Sequence, residues 1–400
     1  MSGLAIVCLL TFLHYVGAQM RGPVLPLYAA AHGATATGVG AIVAAHMLAA
    51  AVGSIPLGRA SDVWGRRSLL LAGMLVTGAT SLLLPMAEGT IALAVIYGAA
   101  GVGVAAFTPS ALSLVGDAAA SGAAGRAFAW YTIAHYGAIG VGSFLGGAVA
   151  HAWGFRAAFL VSVGIVTVTV VFGLRFVERP PIHGRSAEKS ATFADIRANP
   201  VVWGAWIISF CGLVTQGVVF TFFPLLADSR GLTAASIGVV FLVLGLANTA
   251  ARIPAGWLVD RTHHSAPYAI GGVLIASIAT SLLPLVDGHA ALLVVVAVFG
   301  AVSGTAGVAI GVALTRATVP AVRGLVMGGY STALYLGLAV GSLALGPVIG
   351  RHGYPLGFHT GAAVGVVGAV VATALWASAT RARDGDGQLR DPDRSPRERR

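Results

Sequence analysis

Ile55-Pro56-Leu57-Gly58 followed by Asp62 recurs as Ile253-Pro254-Ala255-Gly256 followed by Asp260, 198 residues later in a chain of 400. At the same spacing Pro26-Leu27, Gly33 and Gly40 match Pro224-Leu225, Gly231 and Gly238. One residue further out of step, Gly73, Pro85 and Gly89 match Gly272, Pro284 and Gly288, and Tyr131, Tyr136, Gly142-Ser143 and Phe159 match Tyr330, Tyr335, Gly341-Ser342 and Phe358. A single indel separates the two registers, so the chain is two copies of one unit laid nearly end to end. Its fold must be one that can be built twice and completed by joining the copies.

Composition decides which solvent the copies face. Charged residues make up 10% and apolar residues 57%, where an ordinary soluble domain carries roughly 25% charge. A hydrocarbon core about 30 Å thick needs about 20 mostly apolar residues per helix, at 1.5 Å of rise each. Twelve such stretches are present: 4–29, 36–60, 68–87, 90–116, 127–151 and 155–177, then 201–227, 235–259, 267–285, 289–315, 325–350 and 354–379. Runs such as Leu292 to Phe299 are continuously apolar rather than alternating, which selects helices over the strands of a membrane barrel. The 55 glycines suit helices that must approach closely in lipid, where no hydrophobic effect draws one to another. The expected fold is an all-α membrane protein. It has a six-helix bundle over 1–177, a cytoplasmic linker over 178–200, a second bundle over 201–379 and a disordered basic tail over 380–400.

With the N-terminus inside, every one of the 24 Lys and Arg except Arg21, Arg156, Arg230 and Arg351 falls in an inner loop, an inner helix end or the tail. Both termini are therefore expected in the cytoplasm, in the inner or plasma membrane of a cell. The net charge of +10 is a topology signal plus a tail able to touch anionic lipid. That tail interleaves its Arg with acids and lacks aromatics, so no nucleic-acid partner is expected. The first stretch is read as a retained span, since no basic segment precedes it and Pro26-Leu27 has its match in the second copy. Cys8 and Cys211 lie within spans and read as small apolar residues. No Gly-Lys-Ser/Thr phosphate loop and no catalytic or metal-ligand spacing occurs, so neither an enzyme nor a cofactor is expected, and His263 and His264 read as solvated loop residues.

The loop between the second and third stretches is Gly58-Arg59-Ala60-Ser61-Asp62-Val63-Trp64-Gly65-Arg66-Arg67. Its glycines permit a tight turn, and Asp62 can accept from backbone N–H groups at a helix N-terminus, where the dipole favours an anion. A Gly four residues before Asp, then Gly65 and two Arg, resembles the signature loop of the major facilitator superfamily. Twelve spans, a 6+6 repeat and a long central linker are similar to that family across the whole chain. The resemblance implies two pseudosymmetric six-helix bundles, each made of 3+3 inverted repeats, that rock about a central site. It also implies a gate in which Asp62 works near the inner end of span 11. Gly58, Asp62, Gly65, Arg66 and Arg67, with Gly256, Asp260 and Arg261 in the second copy, are thus the candidate gating motif. Val63 stands where the family usually has a basic residue, and Thr262-His263-His264 replaces the Gly-Arg-Arg end of the second loop, which is expected to contribute less.

Span 5 carries Gly137, Gly142, Gly146 and Gly147, similar to a glycine-rich motif of the drug and proton antiporter branch, with Ser143 in place of its usual proline. Together with Gly341 and Gly346 these are the candidate helix-packing glycines. Span 4 has the glycines of another antiporter motif, Gly101 and Gly103, but Tyr97 where that motif has Arg, so proton coupling does not carry over.

Counting from span ends puts His14, His46, His135, Gln216 and Asn248 near mid-depth, where polar groups are costly unless paired or functional. Tyr131 lies one turn from His135 and forms with it either a relay or a structural hydrogen bond. Arg21 follows His14 by two turns on the same face, roughly 10 Å along the axis. Because an Arg within a span costs about 2.5–3.5 kcal/mol on insertion scales, it should either face the cavity or snorkel to the rim. No acid lies in the middle of any span, which disfavours a cation site. If protons are coupled, histidine is the carrier available. The expected function is secondary active transport of a small molecule across the bilayer by a monomer, with efflux of amphipathic neutral or anionic molecules as the lead reading. Uptake of a small organic acid or sugar is the alternative, and a transport-dead sensor or lipid scramblase the alternative of another class.

Overall fold

The structure, a computed structural model, describes residues 3–118, 124–177 and 196–389. Helices fall on all twelve stretches. α1 spans Gly3–Ala31 in two pieces, Gly3–Gln19 and Arg21–Ala31. It is followed by α2 (Ala36–Trp64), α3 (Arg66–Leu83), α4 (Gly89–Ala118), α5 (Ala124–Trp153) and α6 (Phe155–Phe176). The second half holds α7 (Pro200–Ser229), α8 (Ala234–Thr262), α9 (Ala266–Leu282), α10 (His289–Arg316), α11 (Pro320–His352) and α12 (Tyr354–Leu389). Among the described residues, eleven helices are long and apolar enough to cross a bilayer, and α9, with 17 residues, is the short one. The break in α1 has a backbone cause: Pro23 and Pro26 offer no N–H to the carbonyls of Gln19 and Gly22.

The end of the chain differs from expectation. Disorder was expected from residue 380, but α12 continues to Leu389. Lengthening a helix already formed needs no new nucleus, and the first residue that cannot join one, Pro392, lies beyond. Most of the expected linker, residues 178–195, lies outside the described residues. At its far end Asn199 caps α7, its side-chain oxygen accepting from the N–H groups of Val201 and Val202.

The repeat in sequence is a repeat of contacts. A Cβ built on Gly142 would lie 2.5 Å from the carbonyl oxygen of Val16, and one on Gly341 2.4 Å from that of Val214. The same holds for Gly101 against His46 (2.1 Å) and Gly300 against Leu244 (2.3 Å). Thr35 and Thr233 cap α2 and α8 in the same way. Ser162 donates to the Gly17 carbonyl at 2.7 Å, while Thr215 donates to the Gly361 carbonyl at 2.8 Å, so one bridge is kept with its partners exchanged. At the signature corner Gly65 has φ 91°, and His263 holds the equivalent corner at φ 58°, a left-handed conformation that costs a side-chain-bearing residue about 1–2 kcal/mol.

The halves meet along two seams, α2 on α11 and α5 on α8, related by the same pseudosymmetry. Gly40 faces the Ser342 carbonyl and Gly238 the Ser143 carbonyl, with built Cβ distances of 2.2 and 3.1 Å. Gly147 faces the Ala234 carbonyl and Gly346 the Ala36 carbonyl, at 2.3 and 2.9 Å. All these residues lie at the helix ends opposite the linker, the far side. Nearer the middle Gly140 still abuts Gly245, but Gly137, three residues on along the same face, has no heavy atom within 4 Å of its built Cβ. The six candidate glycines thus divide. Gly142, Gly146 and Gly341 hold a half together, Gly147 and Gly346 join the halves, and nothing packs on Gly137, where the seam thins to side-chain contact. The molecule is shut on its far side and parted toward the linker side, and among the described residues no ion pair joins the halves.

These two classes of glycine should respond differently to a side chain. Gly142→Val overpacks a half and is expected to lower stability by about 1–3 kcal/mol. Gly40→Val is expected to leave each half intact and hold the far side open. In a background of Cys8→Ser and Cys211→Ser, labelling of Gln19→Cys by an impermeant thiol reagent from the far side should rise in Gly40→Val. Equal labelling with and without Gly40→Val would refute the separable seam.

Candidate functional site

Between the halves lies a cavity of about 300 Å³, at the lower end of small-molecule sites. The first half contributes Tyr15, Gln19, His46, Tyr97, His135 and Tyr136 to its wall, and the second Gln216, Phe220, Asn248, Arg252, Phe299, Ser303, Tyr330 and Tyr335. Of the seven substrate or coupling candidates, His46, His135, Gln216 and Asn248 line this space; His14, Arg21 and Tyr131 do not.

His46 is the best-defined of the four. Its Nδ1 lies 3.0 Å from the Tyr97 carbonyl, and a carbonyl only accepts, so Nδ1 carries the proton and Nε2 remains an acceptor. The imidazole also stacks on the Tyr97 ring at 4.3 Å. Asn248 is oriented by Arg252, whose Nε donates to its Oδ1 at 3.1 Å.

His14 sits one layer back, fully buried and stacked on Phe107 at 4.0 Å. Neither of its ring nitrogens has a partner, nor do the Tyr131 hydroxyl and His135 Nδ1. The rings of Tyr131 and His135 stand 6.1 Å apart in near-parallel planes, so the hydrogen bond expected between them is not formed. One turn of helix aligns two rings in parallel more readily than it brings a phenol oxygen to an imidazole edge.

Arg21 neither snorkels nor lines the cavity. It is 2% exposed, donates through Nε to the Ala18 carbonyl at 3.2 Å and through Nη1 to Thr80 Oγ1 at 3.0 Å, and lies 5.7 Å from the centre of the Tyr97 ring. The Nε bond reaches a carbonyl in the α1 segment just before its break.

Arg252 went unrecognised in the sequence because it stands close to the second signature loop and reads there as a marker of sidedness. Its signal was available: one turn after Asn248, inside a span, with no acid nearby. In the fold its guanidinium lies 3.6 Å over the Tyr136 ring, bridging the halves beside the cavity.

The gating motif is anchored within each half. Arg66 pairs with Asp117 at the end of α4, and Arg67 donates to the Leu174 carbonyl of α6 at 2.6 Å. In the second half Asp260 pairs with Arg316 at the end of α10, 3.0 Å away. Asp117 and Arg316 hold equivalent positions in the repeat with opposite charge, but their partners do not correspond, since Asp260 matches Asp62 and Arg66 matches His264. Arg261 lies over the Trp257 ring at 5.1 Å. Gly58 sits in ordinary contact with Pro109, and Gly256 faces open space. The Asp62 side chain lies outside the described residues.

The chain matches the model of the Major Facilitator Superfamily over residues 7–306. It is 22% identical over 355 residues to an uncharacterized MFS-type transporter of Methanocaldococcus jannaschii, across 85% of this chain and 89% of that one. It is 30% identical over 216 residues to the multidrug efflux pump LfrA of Mycolicibacterium smegmatis, across 52% of this chain and 42% of the pump. Two solved structures share the fold. A bacterial homolog to the human lysosomal transporter Spinster, inward-facing and occupied, aligns with a TM-score of 0.78 at 15% identity, over 94% of this chain and 96% of that one. A mutant of the nucleoside transporter NupG aligns with a TM-score of 0.78 at 15% identity, over 93% and 99%.

Burial gives Arg21 a structural role that can be tested apart from the cavity. Thr80→Val removes the acceptor of Nη1, and a lost hydrogen bond to a charged group is expected to cost about 1.5–3 kcal/mol, read by thermal denaturation in detergent. Ligand affinity should be unchanged. Weaker binding with unchanged stability would return Arg21 to the site.

Proposed function

The chain belongs to the Major Facilitator Superfamily, and from that premise we propose that this membrane transporter exports amphipathic small molecules, neutral or anionic, by alternating access. The observation that carries the reading is the cavity between the halves, sealed on the far side by glycine seams and parted toward the linker side. With the N-terminus in the cytoplasm this is the state that loads from inside. A wall of Phe, Tyr and Leu interrupted by a few polar groups suits a substrate with an apolar body. Likeness over half the chain to a multidrug efflux pump supports export over uptake.

Export requires the linker-side ends to close as the far side opens. Arg66, Arg67, Asp260 and Arg316 are already engaged within their halves, so the closing contact is assigned to Asp62 against the inner end of α11. His46 and His135, both in the cavity wall, are the proton carriers of the reading, which takes the protein as a proton-driven antiporter and a monomer in the plasma membrane.

Cells expressing the protein should accumulate less of a hydrophobic dye than cells carrying the empty vector, and Asp62→Asn should abolish most of the difference at equal expression. Growth on a single carbon source together with unchanged dye levels would replace export by uptake. Wild-type export by Asp62→Asn would remove the gate.

A further inference from the structure

We infer that the cavity selects organic anions and that Arg252 is the residue that reads the charge, an assignment that rests on the transport reading above. Among the described residues Arg252 has no carboxylate partner; the ion pairs given lie at the linker-side helix ends, between Arg66 and Asp117 and between Arg316 and Asp260. Arg252 is half-buried, and a guanidinium drawn partly out of water without a counterion is an unfinished interaction. The group is also held in one orientation, its Nε tied to Asn248 and its plane laid over Tyr136, which leaves the two terminal nitrogens as the free edge of the fork.

Space and unmet polarity adjoin that edge. Gly307 stands beside Nη2, where a Cβ would come within 3.6 Å, so the helix leaves room for a ligand atom. One turn away Ser303 Oγ is buried, lines the cavity and has no partner, and His135 Nδ1 on the opposite wall is in the same condition. A planar carboxylate fits this set, accepting two parallel bonds from the guanidinium edge and a further one from the hydroxyl. Phe220 and Phe299 provide the apolar wall for the rest of such a molecule. A second cation, Arg21, is buried behind Tyr97 with two hydrogen bonds and no acid. Arg252 in the wall, Arg21 behind it and no carboxylate among the described lining residues give the cavity one sign.

A different role for Arg252 would be a latch, its cation–π contact with Tyr136 merely holding the halves together. The two roles separate on matched ligands. A carboxylate and its primary amide have the same shape and differ in charge. Binding of 2-naphthoate, biphenyl-4-carboxylate and indole-3-acetate, each beside its amide, is measured on the purified protein in nanodiscs. Wild type should bind at least one carboxylate about tenfold or more tightly than its amide, the scale of one charge-assisted contact. Arg252→Gln should erase that preference and leave amide affinity within about twofold. Should Arg252→Gln fail to fold, Arg252→Lys answers the same question, since it keeps the charge, loses the fork and should retain only part of the preference.

Equal affinity of wild type for acid and amide, or no binding of any of the six while dye export persists, overturns the anion assignment and leaves export standing. An acid preference that survives Arg252→Gln overturns the role of Arg252. Equal loss of acid and amide binding in that variant means a latch and overturns it too. An acid preference that depends on Arg252, found together with unchanged dye accumulation, keeps the anion site and refutes export.

Discussion

In hydrocarbon two helix backbones touch only where one of them lacks a side chain. Lipid is as apolar as leucine, so nothing pushes helices together; what remains is dispersion over matched surfaces and weak polar contact, both falling steeply with distance. Glycines set opposite carbonyls, as Gly101 is against His46 and Gly341 against Val214, create that proximity. The bundles, the cavity between them and the motion open to them all follow from where such contacts are placed.

The device serves two purposes in this chain. Within a half the glycine contacts are backed by buried hydroxyl bridges, such as Ser162 to Gly17 and Thr215 to Gly361, which span helices far apart in sequence. Between halves the glycines stand with little such reinforcement, and among the described residues no ion pair crosses. A contact made of dispersion and backbone approach re-forms without exchanging strong partners. Such an interface suits the alternating access proposed above, while the loops at the linker-side ends of the halves are fastened to their own helices.

The fold was legible where the two copies agree and the site where they differ. Positions common to both, Gly40 and Gly238, Gly142 and Gly341, Pro26 and Pro224, turn out to be packing and turn positions, so the repeat alone implied two like bundles. Tyr136 and Tyr335 apart, the cavity's polar residues have little such echo. His46 stands opposite Leu244 in the repeat, Gln216 opposite Ala18, Asn248 opposite Ala50 and Arg252 opposite Ser54. Counting depth found His46, His135, Gln216 and Asn248, since depth is a property of one helix. It could not tell that His14 stands off the cavity or settle how Arg21 and Tyr131 face, because facing depends on rotation against neighbours: Phe107, Thr80 and Tyr97, which surround His14 and Arg21, come from α3 and α4. It overlooked Arg252 because nearness to a loop resembles exposure until the neighbouring helices are in place.

The unpaired guanidinium also gives the protein an electrical property. When access to the cavity passes from one side to the other, Arg252 stays put while the profile of the membrane potential shifts across it, so its charge traverses part of the field. A full charge crossing 100 mV is worth about 2.3 kcal/mol. Even a fraction of that biases one access state over the other in the unloaded protein, and a bound anion cancels the bias. On the proposed anion assignment, empty and loaded forms would differ in how they sense voltage, and the resting potential would act on the stroke made without a bound anion.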